Sequence, residues 1–263
     1  MGYETIRVGV DARGVAELVL SRPDKHNAMD ARMIGEMSEA AQALDGDAAV
    51  RVVVLSGAGK TFCAGGDLGW MRNQAGRDRA GRMAEARTLA AMLGRWDALS
   101  KPVIGRVHGA AYGGGLGLIA VCDVVVAAAD CRFALTETRL GLIPATIGPF
   151  VVRRLGEAFA RQVFFTARPF GTDFLIRAGM VSRACPIEGL DAAVAEEVAA
   201  VLDCAPGAVA AAKALCRKLA GSAATDWAEA TAETLADRWE SDEARLGIEA
   251  FFAKGVPPWR SPE

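Results

Sequence analysis

Between residues 109 and 129 the chain carries one charge, Asp123, and five glycines. A stretch this long and apolar either crosses a bilayer or lies at the centre of a folded domain. Each glycine costs a helix about 1 kcal/mol relative to alanine, and Asp123 falls late in the segment. The stretch therefore reads as a buried helix that opens at the glycines and runs into a buried strand, which requires covering layers on both sides. The composition can supply them: 52% of the 263 residues are apolar and 24% charged, the balance of a globular chain with a sizeable core. The first ten residues, MGYETIRVGV, have no basic region followed by an apolar run, and Ile6 stands where a myristoylation signal needs Ser or Thr. The expectation is a cytoplasmic protein with no membrane span.

Residues 5–10 and 15–20 read as strands around a turn at 11–14. Met33, Ile34, Met37, Ala40, Ala41 and Leu44 form a 3.6-residue stripe opened by Asp30 as N-cap and closed by Gly46. Residues 50–55 are a β-branched run suited to a strand covered on both faces. A glycine-bearing loop to Asp67 leads into an Arg-rich segment expected to become helical by about Met83 and to continue to Leu99. A strand at 103–107, the glycine-opened helix and a strand at 123–128 follow. In the last third, stripes at Leu190, Val194, Val198 and Val201, at Val209, Leu215 and Leu219, and at Trp227, Leu235 and Trp239 read as successive amphipathic helices. No Pro-, Gly- or Ser-rich linker intervenes, so the expected organisation is an α/β core over residues 1–190 with a helical region over 191–263. The irregular repeat argues against a (β/α)8 barrel.

A net charge of −2 leaves no broad positive field, which argues against nucleic acid or an anionic membrane as main partner. The six cysteines form no CxxC pair and read as buried thiols in a reducing compartment. Two histidines, His26 and His108, are too few for the usual metal sites, so no metal is expected. The segment SGAGKT (56–61) resembles a phosphate-binding loop, but Val54 stands where its first glycine belongs and no helix signal follows Lys60. The cluster Gly113, Gly114, Gly115 and Gly117 fails the dinucleotide fingerprint because Leu118 replaces the last glycine.

The cluster has two readings: close helix packing, or backbone N–H groups that must approach a ligand with no side chain between. A second bare loop, FCAGGDL (62–68), follows a buried strand, so the two loops can converge on one oxygen. Glu137 sits between a short apolar segment and a Gly-Leu-Ile-Pro turn, with Arg139 as its one near charge. It reads either as an ordinary ion-pair member or as a general acid/base facing an apolar cleft.

RPDKHNAMD (22–30), FCAGGDL, HGAAYGGGLGL (108–118) and TETRLGLIPATIGPFVVRRLG (136–156) resemble, in order and spacing, the enoyl-CoA hydratase/isomerase (crotonase) superfamily over nearly the whole chain. The resemblance implies an α/β fold, a spiral of ββα turns with a helical C-terminal trimerisation region, assembled as a homotrimer or a dimer of trimers. It implies an acyl-CoA substrate whose coenzyme A is part of the substrate, with no separate cofactor. The N–H groups of Gly66 and Gly114 would form an oxyanion hole, with Glu137 as the catalytic carboxylate. Lys25, His26 and Ala28, with Ala64, Asp67 and Leu68, would contact the substrate's CoA portion, joined by Phe251 and Lys254 from a neighbouring subunit. Trp70 and Met71, within the segment 69–95, would line the acyl pocket.

The pattern departs from the family at Gly117, where typical hydratases carry a first catalytic glutamate and which would adjoin the substrate. Hydration needs water activated and the α-carbon protonated, whereas double-bond migration can run on one shuttling carboxylate. The segments 112–123 and 139–156 are similar to the methylglutaconyl-CoA and isohexenylglutaconyl-CoA hydratase branch. The expectation is therefore an enoyl-CoA hydratase, with an isomerase using Glu137 alone, or a non-catalytic CoA-binding protein, as alternatives. Arg72 and Arg139 are the candidates to meet a substrate carboxylate.

Overall fold

The computed structural model describes residues 2–220, 235, 237 and 240–260; Trp227 and Trp239 lie outside them. Strands β1 (Ile6–Val10) and β2 (Val15–Leu20) form the expected hairpin, and Asp30 caps α1 (Ala31–Gly46) by accepting from the Met33 N–H. β3 (Val52–Gly57) continues beside β2. Its start, Val52, Val53, Val54 and Leu55, is buried in the core, as a strand covered on both faces requires.

The segment expected to be helical only from Met83 holds two helices, α2 (Leu68–Ala75) and α3 (Arg79–Ala98). Their N-caps decide this: the Asp67 carboxylate accepts from the Gly69 and Trp70 N–H groups, and Asp78 accepts from Gly81. Both signals were present in the sequence, but the polar surface of the segment obscured them. α3 packs on α1, and the buried Trp96 donates its indole N–H to the Met37 carbonyl.

The weakly charged stretch 109–129 divides into β5 (Ala110–Tyr112), α4 (Gly114–Ala120) and β6 (Val124–Ala128), the latter two being the expected helix and strand. β4 (Val103–Val107) precedes it, and β7 (Arg132–Ala134) follows. Further on come α5 (Gly148–Thr166), β8 (Phe170–Gly171), α6 (Thr172–Arg177) and β9 (Arg183–Cys185). The larger sheet has the order β1-β2-β3-β4-β6-β9, parallel after the first hairpin; the smaller has the order β5-β7-β8. This is a mixed α/β architecture of two sheets, as the resemblance implies.

Of the closing helices, α7 (Leu190–Leu202) packs on β3, β4 and β6 through Leu190, Ala193, Val194 and Val198. α8 (Pro206–Ala220) buries no residue completely within the chain, and α9 (Asp242–Phe252) ends beside the exposed Lys254. Among the described residues no single helix is long and apolar enough to cross a membrane. The expectation of buried thiols holds for Cys63, Cys122 and Cys131; Cys185 is half-buried, and Cys204, in the bend between α7 and α8, and Cys216, on α8, are exposed.

Candidate active site

Three short parallel pairings bring distant segments to one place. Met29 pairs with Gly66, Cys63 with Ala111, and β5 with β7 in the register Tyr112↔Ala134. Parallel pairing puts the same ends of all these segments together. The 64–66 loop, the start of α4 and the Glu137 turn therefore meet at one edge of the small sheet.

Among the described residues, two N–H groups here have no backbone acceptor. Met29 donates to the Gly65 carbonyl at 2.7 Å and accepts from the Asp67 N–H at 2.8 Å, which turns the intervening Gly66 N–H away from that pairing. Gly114 is the first residue of α4, so its N–H has no partner within the helix. The loops approach closely because they lack side chains: a Cβ on Gly65, whose φ is +89°, would stand 2.7 Å from the Tyr112 carbonyl oxygen and 3.5 Å from the Gly114 nitrogen. Close approach and exposed donors, which the glycine cluster alone could not distinguish, are thus two aspects of one arrangement.

Glu137 opens a 3-10 turn, Glu137–Leu140, beyond β7. Its Oε1 lies 3.2 Å from where a Cβ on Gly113 would stand, and its Oε2 is buried without a hydrogen-bond partner. Arg139 forms no ion pair with it among the described residues. Burial raises its pKa above the ordinary 4.5, opposed by a hydrogen bond from its own backbone N–H.

These groups line a cavity of about 700 Å³. Trp70 and Met71 line it, with Leu68 and Ala64. Gly117 does not: it is buried one turn into α4 against Ile147 and Leu93. Arg72 and Arg139 also lie outside the lining, whereas Arg82 and Gln74 belong to it. Nothing in the residue pattern singles these two out: Gln74 ends one short polar helix, and the exposed Arg82 begins the next and donates back to the Gln74 and Ala75 carbonyls. Glu137 is the one carboxylate among the described lining residues.

The 25–28 loop lies against the glycine loop, with the Ala64 N–H donating to the His26 carbonyl at 2.9 Å. Lys25, His26 and Ala28 do not line the cavity. His26 faces Thr61 at 3.1 Å, while the buried Asn27 side chain ties the loop to the Ala58 and Thr61 carbonyls. The Asp67 carboxylate is committed to capping α2 and to Arg22. No helix begins at Lys60, consistent with the rejection of a phosphate loop there. Lys254 is exposed and absent from the cavity wall; Phe251 lies in α9, with its side chain outside the described residues. No group of three or more His, Cys, Asp or Glu suited to a metal occurs among the described residues.

The sequence profile of the family described as enoyl-CoA hydratase/isomerase matches residues 11–262. The enoyl-CoA hydratase ACTT6 of Alternaria alternata is 34% identical over 218 residues, covering 82% of this chain and 70% of that protein. An enoyl-CoA hydratase structure from Shewanella pealeana superposes with a TM-score of 0.93 at 36% identity, covering 98% of this chain and 96% of the other. Pseudomonas aeruginosa AtuE gives a TM-score of 0.93 at 36% identity, covering 98% and 100% of the two chains.

Proposed function

Since the chain belongs to the enoyl-CoA hydratase/isomerase family, we propose that it is a hydratase acting through a single carboxylate. The supporting observation is the buried, unpartnered Glu137 oxygen beside two free glycine N–H groups. In this reading the thioester oxygen accepts from Gly66 and Gly114. Glu137 takes a proton from water, the water oxygen bonds to the β-carbon, and the electrons of the double bond move through the α-carbon to the thioester oxygen as an enolate. Protonated Glu137 then delivers its proton to the α-carbon, and the thioester carbonyl reforms. Preorganised N–H donors act where the negative charge develops, and a raised carboxyl pKa suits a base that must also return its proton.

Coenzyme A enters as part of the substrate. Its nucleotide end would follow Lys25, His26, Ala28 and Ala64, with Leu68 at the rim. Asp67 would contribute by fixing α2, and Phe251 and Lys254 would reach CoA from a neighbouring subunit. The half-buried apolar side of α8 and the exposed Leu235, Phe252 and Val256 support a homotrimer or dimer of trimers that covers them. We place the chain near the methylglutaconyl-CoA and isohexenylglutaconyl-CoA hydratase branch on the segments 112–123 and 139–156, and in the cytoplasm.

A second reading, isomerisation through Glu137 alone, is favoured by the apolar packing around Gly117 and by Glu137 being the one carboxylate among the described lining residues. A panel of 2-enoyl- and 3-enoyl-CoA thioesters, assayed with wild type and Glu137→Gln, separates the readings. Hydration lost by about 10²–10⁴-fold in the variant supports the hydratase. Double-bond migration without hydration supports the isomerase. Equal turnover by both proteins removes Glu137 from the chemistry, and binding without any turnover leaves a CoA-binding protein.

A further inference from the structure

The cavity wall formed by the end of α2 and the start of α3 carries polar groups that the proposed chemistry does not use. Gln74 lines the cavity, and both atoms of its carboxamide are buried with no hydrogen-bond partner. A buried amide is ordinarily paired, because leaving it unpaired keeps its full desolvation cost. Arg82 lines the same wall and is held there by donating to the Gln74 carbonyl at 3.1 Å and the Ala75 carbonyl at 2.8 Å. Its Nη1 has no partner among the described residues. The wall is braced from behind: Glu85 accepts from the Trp70 indole at 3.4 Å and pairs with Arg77 at 3.2 Å. Around these groups the lining is largely apolar, with Met29, Ile34, Met71 and Leu89.

A wholly apolar acyl chain packed here would expel water and leave the Gln74 carboxamide unpaired. An oxygen on the chain would accept from Gln74 Nε2, and the fixed positive charge of Arg82 would favour it further if it were anionic. We propose that Gln74, assisted by Arg82, is a specificity residue that selects acyl chains bearing a hydrogen-bonding oxygen beyond the reacting carbons. The inference rests on the acyl-CoA reading above, since it assumes that the acyl chain occupies this cavity.

The test is binding of unreactive saturated acyl-CoA thioesters by isothermal titration at fixed ionic strength. Three ligands of matched length are compared, ending in methyl, hydroxyl or carboxylate. Wild type binds at least one oxygenated ligand tenfold or more tightly than the methyl-terminated one. Gln74→Leu reduces that ratio to within threefold, and Gln74→Met, closer in shape, does the same if the leucine variant fails to fold. The hydroxyl and carboxylate arms identify the oxygen: a carboxylate preference falls in Arg82→Met, whereas a hydroxyl preference does not. Binding of neither oxygenated ligand tenfold more tightly than the methyl-terminated one by wild type overturns the role of Gln74, as does a preference that stays above threefold after its replacement; in both cases the acyl-CoA reading stands. Failure of wild type to bind any of the three overturns both.

Discussion

Ile147 occupies the space that a side chain on Gly117 would need: its Cγ2 lies 2.6 Å, and its Cβ 3.1 Å, from where a Cβ at position 117 would stand. Leu93 closes the other side at 3.4 Å. The glycine at this position is therefore matched to a branched side chain across the core, and the absence of a glutamate is built into the packing around the cavity. Simple insertion of a carboxylate would not restore a second catalytic group.

Gly117→Glu is accordingly expected to lower stability by about 1–3 kcal/mol through overpacking, with no gain in hydration. Combining it with Ile147→Ala opens the space and recovers part of the loss. Thermal unfolding of the single and double variants checks this; a stable single variant with increased hydration contradicts it.

Glu137 gives a pH signature in stability as well as in rate. Burial raises its pKa, so the folded chain keeps this proton to higher pH than the unfolded chain. Its contribution to stability is full below the ordinary value of 4.5 and is lost as pH rises through the raised value. Glu137→Gln carries no such charge and is expected to unfold at a temperature equal to or above that of wild type at neutral pH, with the difference disappearing below about pH 4. Melting curves across this range suffice, and a variant less stable than wild type at pH 7 contradicts the sign.

Asp67 joins the oxyanion loop to α2. Burial pushes its pKa up, but hydrogen bonds from Trp70 and Gly69, with the Arg22 charge, hold it below the ordinary 3.8. Arg22 also pairs with Asp30, the cap of α1, at 3.1 Å. Asp67→Ala is expected to cost about 0.5–2 kcal/mol as a lost N-cap. The stabilisation tied to this low pKa is present above 3.8 and fades as pH falls through the lowered value. Denaturant melts at neutral and acid pH measure both effects.

Lys254 does not reach the cavity of its own chain. If a neighbouring subunit supplies it to CoA, Lys254→Ala raises KM with little change in kcat, as expected when binding is lost equally from ground and transition states. Light scattering is expected to give a trimer or hexamer. A stable monomer with wild-type KM excludes the shared site.

The elements of the core were legible in the residues because their causes are local. Asp30 and Gly46 bound a helix with a regular apolar stripe, and the run at 50–55 points to a buried strand, which the structure places two residues on at Val52–Gly57. The two glycine loops and Glu137 were also legible as unusual features. Their common function was not, since convergence depends on the pairings of Met29 with Gly66, Cys63 with Ala111 and Tyr112 with Ala134, which join residues far apart in the chain. Nor could the sequence show that position 117 faces Ile147 and Leu93 rather than the cavity, or that Gln74 and Arg82 line the cavity while Arg72 and Arg139 do not. Helical periodicity assigns a residue to one side of a helix, but which side meets a cavity depends on the parallel crossovers and the break between α2 and α3. The sequence determined the elements and the supply of chemical groups; only the tertiary structure decided which groups meet, because nonlocal backbone pairing sets their separation.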